Sequence, residues 1–324
     1  MSSPQTWLVT GGAGFIGSHL VEALLRAGHN VRALDNLSTG KTQNIAPFKS
    51  SDRFLFIEGD VCDPATCRKA VEGANVVLHQ AALGSVPLSM LEPEKTHAAN
   101  VTGFLNMLVA ARDAGAKRFV YASSSAVYGD EPSLPKVEER IGHPLSPYAA
   151  SKWMDEIYAD VFGRCYGMET VGLRYFNVFG PRQDPAGAYA AVIPAWIAAL
   201  IRNEPVRING DGETSRDFCH VANVVQANIA AGSTTNRDAL NQAYNIAVGG
   251  KTTLNELFAL LKNGLAKRFP RVQNAAPIYQ DFRQGDVRHS LANISKAQRL
   301  LGYKPTHSVA QGLDEALNWY VETL

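Results

Sequence analysis

Short runs of apolar and β-branched residues alternate with longer stretches of helical periodicity through the first half of the chain. The runs at 7–10 (WLVT), 31–35 (VRALD), 54–60 (FLFIEGD), 75–79 (NVVLH) and 117–124 (KRFVYASS) predict strands, and a sixth ends near Tyr175 in GMETVGLRYFNVFGP. Helical patterns lie between them, in SHLVEALLRAG, from Pro64, over 93–114 and from about Tyr148 to Tyr166. Strands alternating with helices of this length imply a parallel sheet covered on both faces. After Asn177 the texture changes. A turn-rich connection, GPRQDPAG, leads into helical patterns at about 190–202, 221–232, 252–268 and 308–323, with short strands and loops between them. VRINGDGETSRDF (206–218) reads as one of those loops. The expectation is an α/β domain over 1–178 and a smaller lobe over 179–324, some of whose segments return to the first domain. No internal repeat or low-complexity tract is present.

The junction between the first strand and the first helix carries the clearest chemistry. Gly11-Gly12-Ala13-Gly14-Phe15-Ile16-Gly17 makes a phosphate-binding turn. Gly11 lets the chain reverse, Gly14 admits a pyrophosphate close to the backbone, and Gly17 lets the helix pack on the strand. The second strand ends in Asp35, 24 residues after Gly11, where the adenosine ribose hydroxyls of a dinucleotide should sit. A carboxylate accepts from a free 2′-hydroxyl and repels a 2′-phosphate, so NAD is favoured over NADP. Asp60, which ends the third strand, reads either as a group reaching the adenine side or as a strand-end cap.

Bulk properties narrow the partners. The 324 residues suffice for a large core and two lobes, and 31 basic residues nearly balance 30 acidic ones for a net charge of +1. No basic block suggests a nucleic-acid surface, so an anion would be held by a few placed arginines. Cys62, Cys67, Cys165 and Cys219 lack zinc-like clustering and read as ordinary reduced thiols. With no leader before the first strand and no 18-residue apolar run, a soluble cytoplasmic enzyme is expected.

Tyr148 and Lys152 are four residues apart on a predicted helix, so they share one face. A close ammonium favours a phenolate, as would the positive nicotinamide ring of NAD⁺, and the phenol becomes a usable base. Lys152 can also reach the nicotinamide ribose. The same pair is common on any helix; what singles it out is Ser123-Ser124-Ser125 at the end of the preceding strand, where a parallel sheet presents its ligands.

Taken together, TGGAGFIG, SSSAVYGD, SPYAASK and RYFNVFGP resemble the extended short-chain dehydrogenase/reductase family, in particular its nucleotide-sugar 4-epimerases, over essentially the whole chain. The resemblance implies an NAD-binding Rossmann domain, a smaller C-terminal UDP-sugar domain and a Ser/Thr–Tyr–Lys catalytic group. Carried over, Tyr148 is the base and acid on the sugar O4, Lys152 its electrostatic and ribose partner, and Ser124 a hydrogen-bond partner of the same hydroxyl. Ser124 is chosen because it lies four residues before Tyr128, as the family's catalytic hydroxyl does. Ser123 and Ser125 then read as cofactor-side or sugar-contacting. The implied cofactor contacts also include Phe15, Ile16, Asn36, Val61, Gln80, Ala81, Ala82, Asn100 and Tyr175. On the substrate side, Gly84, Ser85 and Val86 should lie beside the sugar, and Asn177 at the diphosphate-sugar. Ala191, Val192, Ile193 and Asn209 match segments around the uridine, while Arg216 and Arg283 resemble a pyrophosphate clamp, for which bidentate guanidinium bonds are suited. Many family members carry a lysine at the position of Gly84, so this chain departs from them near the nicotinamide.

Relatives that dehydrate or decarboxylate nucleotide sugars carry acidic residues directly after the catalytic Ser/Thr. Here Ser125 and Ala126 stand there, which leaves a cycle of oxidation, rotation and reduction at C4. The resemblance also implies a homodimer, with the helices near 93–114 and 148–166 paired across a two-fold axis. RQDPAGAYAAVIP with GDGETSRDFCHV resembles the bacterial UDP-N-acetylhexosamine 4-epimerases, and Ser290 stands where non-acetylated specialists carry a tyrosine. The expected substrates are therefore UDP-GlcNAc and UDP-GalNAc. The UDP-glucose/UDP-galactose pair is the alternative. A further alternative is a non-catalytic NAD or nucleotide-sugar sensor, against which the intact Ser124–Tyr148–Lys152 set argues.

Overall fold

The computed structural model describes residues 4–186, 190–282 and 287–324. Its N-terminal half runs β1 (Thr6–Thr10), α1 (Phe15–Arg26), β2 (Asn30–Asp35), α2 (Thr42–Ile45), β3 (Phe54–Glu58), α3 (Pro64–Val71), β4 (Val76–His79), α4 (Val86–Leu91), α5 (Pro93–His97), α6 (Gly103–Asp113), β5 (Arg118–Ser124), α7 (Pro147–Tyr166) and β6 (Thr170–Tyr175). There follow β7 (Val178–Phe179), α8 (Val192–Arg202), β8 (Arg207–Asn209), β9 (Ser215–Arg216), β10 (Cys219–His220), α9 (Val221–Ser233), β11 (Gln242–Ile246), β12 (Thr252–Thr253), α10 (Leu254–Ala266), β13 (Ile278–Gln280), α11 (Ser295–Leu301) and α12 (Val309–Thr323).

Seven parallel strands form the central sheet in the order β11-β6-β5-β4-β1-β2-β3. Alternation along β1 explains why both faces are covered: Trp7 and Val9 enter one core and Leu8 the other. The first core is closed by α1, α9 and α11 through residues such as Leu20, Leu24, Val224, Ala227 and Leu301. The opposite one is closed by α3, α6 and α7 through Val71, Phe104, Met107 and Phe162. This is the Rossmann arrangement expected from the sequence. Strand order reverses between β1 and β4, and the crevice beyond their carboxyl ends is where such sheets take ligands.

The smaller lobe packs α8, α10 and α12 around Phe179, Trp196, Leu257, Leu261 and Tyr320. Its helices are locally specified, since Thr253 with Glu256 and Ser308 with Gln311 form capping boxes. Two expectations need adjustment. The stretch 206–218 is not simply a loop: β8 pairs in parallel with β13, and β9 runs antiparallel to β12. Pairings of two or three residues with distant partners leave no local alternation to read. The helical stretch 93–114 is also interrupted, because residues 98–102 form a wide i→i+5 turn between α5 and α6. Among the described residues, no helix is long and apolar enough to cross a membrane.

The two parts are interleaved. β11, from beyond residue 240, completes the sheet by pairing with β6, and α9 lies so close to β1 that a methyl group on Gly232 would come within 2.4 Å of the Trp7 indole. Arg182 pairs with Glu22 of α1, His19 bonds the Pro181 carbonyl, and Lys41 pairs with Asp184 at 2.8 Å.

Candidate active site

Close packing dictates the glycines at the strand-order reversal. Gly11 has φ +65°, and a methyl group there would lie 2.9 Å from the Ala81 nitrogen; one on Gly17 would lie 2.0 Å from the Gly11 carbonyl oxygen. Thr10 fastens the neighbouring loop, its Oγ1 accepting the Gln80 and Ala81 N–H groups and pairing with His79 Nδ1. Gly14, at the N-cap of α1, provides no side-chain cap, which leaves the amides of the first turn and the positive end of the helix dipole for an anion.

Asp35 ends β2 beside this turn, its carboxylate accepting the Ala13 and Leu37 N–H groups at 2.9 and 2.8 Å. Gly40 lies against it, where a methyl group would approach to 2.7 Å. Asn36 Nδ2 donates to Asp60, whose other oxygen accepts the Cys62 N–H. Partial burial works against its charge, but these bonds prevail and hold the Asp60 carboxyl below the usual range. Val61 packs into the core against Gly103 of α6.

From Phe15 and Ile16 a cavity of about 860 Å³ runs to Arg216 and Ser290. Gln80, Ala82, Gly84, Val86, Ser123, Ser124, Ser125, Tyr148, Lys152, Tyr175 and Asn177 line it, so the proposed catalytic set and much of the proposed substrate set share one space. The cradle fits NAD on its own geometry: side-chain-free glycines where backbone must approach, an uncapped helix start, and a carboxylate at the ribose position.

Ser124 is the last residue of β5 and its Oγ accepts the Ala126 N–H. Tyr148 and Lys152 lie in the first two turns of α7, which Ser146 caps with Pro147 at the first helical position. Lys152 Nζ donates to Asp155 Oδ2 at 3.1 Å, and both side chains are buried. Burial pushes the Asp155 carboxyl up to about 7 against the attraction of that ammonium, and Oδ1 has no hydrogen-bond partner. Tyr175, Gln80 and Asn228 close a hydrogen-bonded triangle.

Other candidates have different surroundings. Ser123 borders the cavity, but its hydroxyl donates to Glu156, which makes a bidentate pair with Arg174. Asn100 is fully buried in the wide turn after α5 and spends its amide on Leu83 and Ser151, which places it behind the cavity wall. Ser85 caps α4. Gly84 faces open space, with nothing within 4 Å of where a side chain would begin.

Asn177, at φ 34°, donates to the Asp217 carbonyl. The buried Asp217 carboxylate collects the Val248, Gly249 and Ala292 N–H groups; burial raises its pKa to about 6. Ala292 and the bond from Ser290 N–H to Ser215 O together fix the strand-like segment that carries Ser290. The Arg216 guanidinium donates to the Ser215 and Arg288 carbonyls. Ala191 and Val192 begin α8, Asn209 ends β8, and none of the three lines the cavity; Ile193 is buried in the lobe core. Arg283 lies outside the described residues.

Sequence reasoning missed Asp155, Gln183 and Lys136, of which the last two line the cavity. Asp155 could have been found, since an acid three residues after Lys152 shares its helix face.

The NAD dependent epimerase/dehydratase family matches residues 7–247. A putative UDP-glucose 4-epimerase of Methanocaldococcus jannaschii is 38% identical over 96% of this chain and 97% of its own. The structure of a UDP-N-acetylglucosamine 4-epimerase from Methanobrevibacter ruminantium, in complex with UDP-N-acetylmuramic acid, is 38% identical and covers 100% of both chains with a TM-score of 0.93. That of a Thermotoga maritima UDP-glucose 4-epimerase with UDP-glucose is 37% identical, covers 98% of this chain and 99% of that one, and has a TM-score of 0.90.

Proposed function

The chain belongs to the NAD-dependent epimerase/dehydratase family, and from that premise we propose which residues perform its reaction and on which sugars. The reaction is the reversible 4-epimerisation of a UDP-sugar through a 4-keto intermediate, with NAD as cofactor. When bound in the cradle of Gly11, Gly14, Gly17 and Asp35, NAD would supply the hydride-accepting and hydride-donating chemistry that oxidation and reduction at C4 require.

Tyr148 takes the O4 proton as C4 is oxidised and gives it back on reduction. Ser124, at the adjacent strand end, orients the same hydroxyl, and Lys152 keeps a positive charge beside the phenol and the nicotinamide ribose. Asn177 and Arg216 hold the diphosphate while the sugar turns, for which the cavity of about 860 Å³ gives room. Aligning the reacting atoms in this way supplies much of the rate.

For the sugar, we favour a pocket that accepts UDP-GlcNAc and UDP-GalNAc together with UDP-glucose and UDP-galactose. The observation carrying the acetamido reading is Ser290, a small side chain on the cavity wall held in place by Ser215 and Asp217. The UDP-glucose 4-epimerases of similar identity support the non-acetylated pair. A homodimer through α7 is part of this reading, since Met154 and Ile157 expose an apolar edge there.

The test is direct. Ligand released from denatured protein is identified by absorbance and mass, and the same preparation is given UDP-GlcNAc and UDP-glucose in parallel. NAD release and interconversion of both are expected; bound NAD without turnover of either would instead indicate a sensor.

A further inference from the structure

Away from the cavity, β10, α9 and α12 bring together three side chains that the epimerase reaction does not use. His220 ends β10, His307 lies in the loop before α12, and Glu315 is in the second turn of that helix. We propose that His220, His307 and Glu315 bind a divalent cation of the zinc class, which fastens α12 to the head of α9.

His220 is the anomaly that requires a partner. Its ring is 1% exposed, and neither nitrogen has a hydrogen-bond partner among the described residues. A neutral imidazole carries an N–H and a lone pair, and each left unpaired in the interior gives up its hydration with nothing in return. Packing alone does not account for the unpaired nitrogens: Phe179 lies edge-on to the ring and Gly312 abuts its Cβ.

The other two groups are arranged as ligands. His307 Nδ1 is engaged by Thr306 Oγ1 at 2.9 Å, which leaves Nε2 to face Glu315 Oε2 at 3.3 Å. Tetrahedral zinc with bonds of about 2.0–2.1 Å has ligand-to-ligand edges near 3.3 Å, so this edge already has the required length. The His220 and His307 rings lie 4.8 Å apart, and one ligand atom from each of the three residues falls within 4.8 Å of the others. Small rotations of exposed Glu315 and half-buried His307 close the remaining edges. A two-histidine, one-carboxylate set is a known zinc ligand type, with a fourth position open to water. The outer shell is also present: Thr306 fixes the His307 ring, while Asn223 Oδ1 accepts the Thr306 and His307 N–H groups. His19, the other titratable group nearby, has its Nε2 on the Pro181 carbonyl and is not a ligand. As a bare ion pair, His307 with Glu315 would contribute little at its exposure, and it would leave His220 unpaired.

The full-length protein is stripped with chelator, exchanged into metal-free buffer and titrated with zinc chloride by calorimetry, with thermal unfolding in parallel. One zinc per chain and a saturable rise in Tm are expected. Glu315→Gln and His307→Ala should each lose more affinity than the roughly 10–100-fold typical of outer-shell changes, the range expected for Thr306→Val. These partly exposed positions keep the test independent of whether a His220 variant folds. Absence of stoichiometric binding would overturn the proposal. So would binding that survives His307→Ala unchanged, which would place the zinc away from these three side chains.

Discussion

Replacing Asp155 by asparagine should change how the stability of the protein depends on pH. The carboxyl titrates at about 7 rather than 3.8 because burial disfavours its charged form more than the Lys152 ammonium, 3.1 Å away, favours it. Glu156 on the same helix adds to the rise. Across the packing, Tyr121 on β5 senses both acids, and His79 on β4 is held neutral by burial with the Lys152 charge adding. An acid whose folded value lies above its unfolded one favours folding below the unfolded value, and that contribution is lost as pH rises through the folded one. At about 1.4 kcal/mol per pH unit, a shift from 3.8 to about 7 implies a loss of about 2–3 kcal/mol between pH 5 and pH 8. Asparagine keeps the shape and cannot ionise. Denaturant unfolding of both proteins at pH 5, 6, 7 and 8 should therefore show the variant gaining on the wild type by about that amount as pH rises. Any constant offset from altered packing or the lost ion pair cancels in this slope. A stability difference that stays flat, or a wild type that gains on the variant, would mean that Lys152 outweighs desolvation and would refute the reasoning.

Tyr148→Phe should lower turnover by about 10²–10⁴-fold while leaving UDP-sugar binding measurable; near wild-type epimerisation would remove Tyr148 as the proton carrier. Ser290→Tyr should cut kcat/KM for UDP-GlcNAc and UDP-GalNAc by on the order of 10² relative to UDP-glucose and UDP-galactose, because displacement of C4 by about 1 Å is enough for that loss. Equal effects on all four sugars would show that Ser290 is not the gate. Light scattering at micromolar concentration should give the mass of a dimer, and a monomer there would exclude pairing through α7.

Local features were the legible ones. The glycine turn, Asp35 and the Tyr148–Lys152 spacing each lie within a few residues of the strand or helix end that gives them meaning, so pattern and position suffice. The Thr10–His79 bond joins residues 69 apart, and the Tyr175–Asn228 bond joins residues 53 apart. Neither leaves a local trace. The wide turn holding Asn100 is equally silent, because one extra residue in a helical turn scarcely alters an apolar pattern over 93–114. Ser123 illustrates a different difficulty. Three adjacent serines are indistinguishable as letters, yet strand alternation turns the first hydroxyl to Glu156 while the next caps the turn that follows.

The return of β11 and α9 to the first half of the molecule has a consequence for its synthesis. Six of the seven sheet strands have been made by residue 175, but β6 still has an open edge, and Trp7 lacks the helix that covers it until residues 221–246 leave the ribosome. A nascent chain of that length presents an unpaired strand beside an uncovered apolar face, the combination that invites aggregation. Folding therefore has to wait for most of the chain rather than proceed domain by domain, and a fragment ending near residue 178 should come out of cells as inclusion bodies rather than as a small cofactor-binding protein.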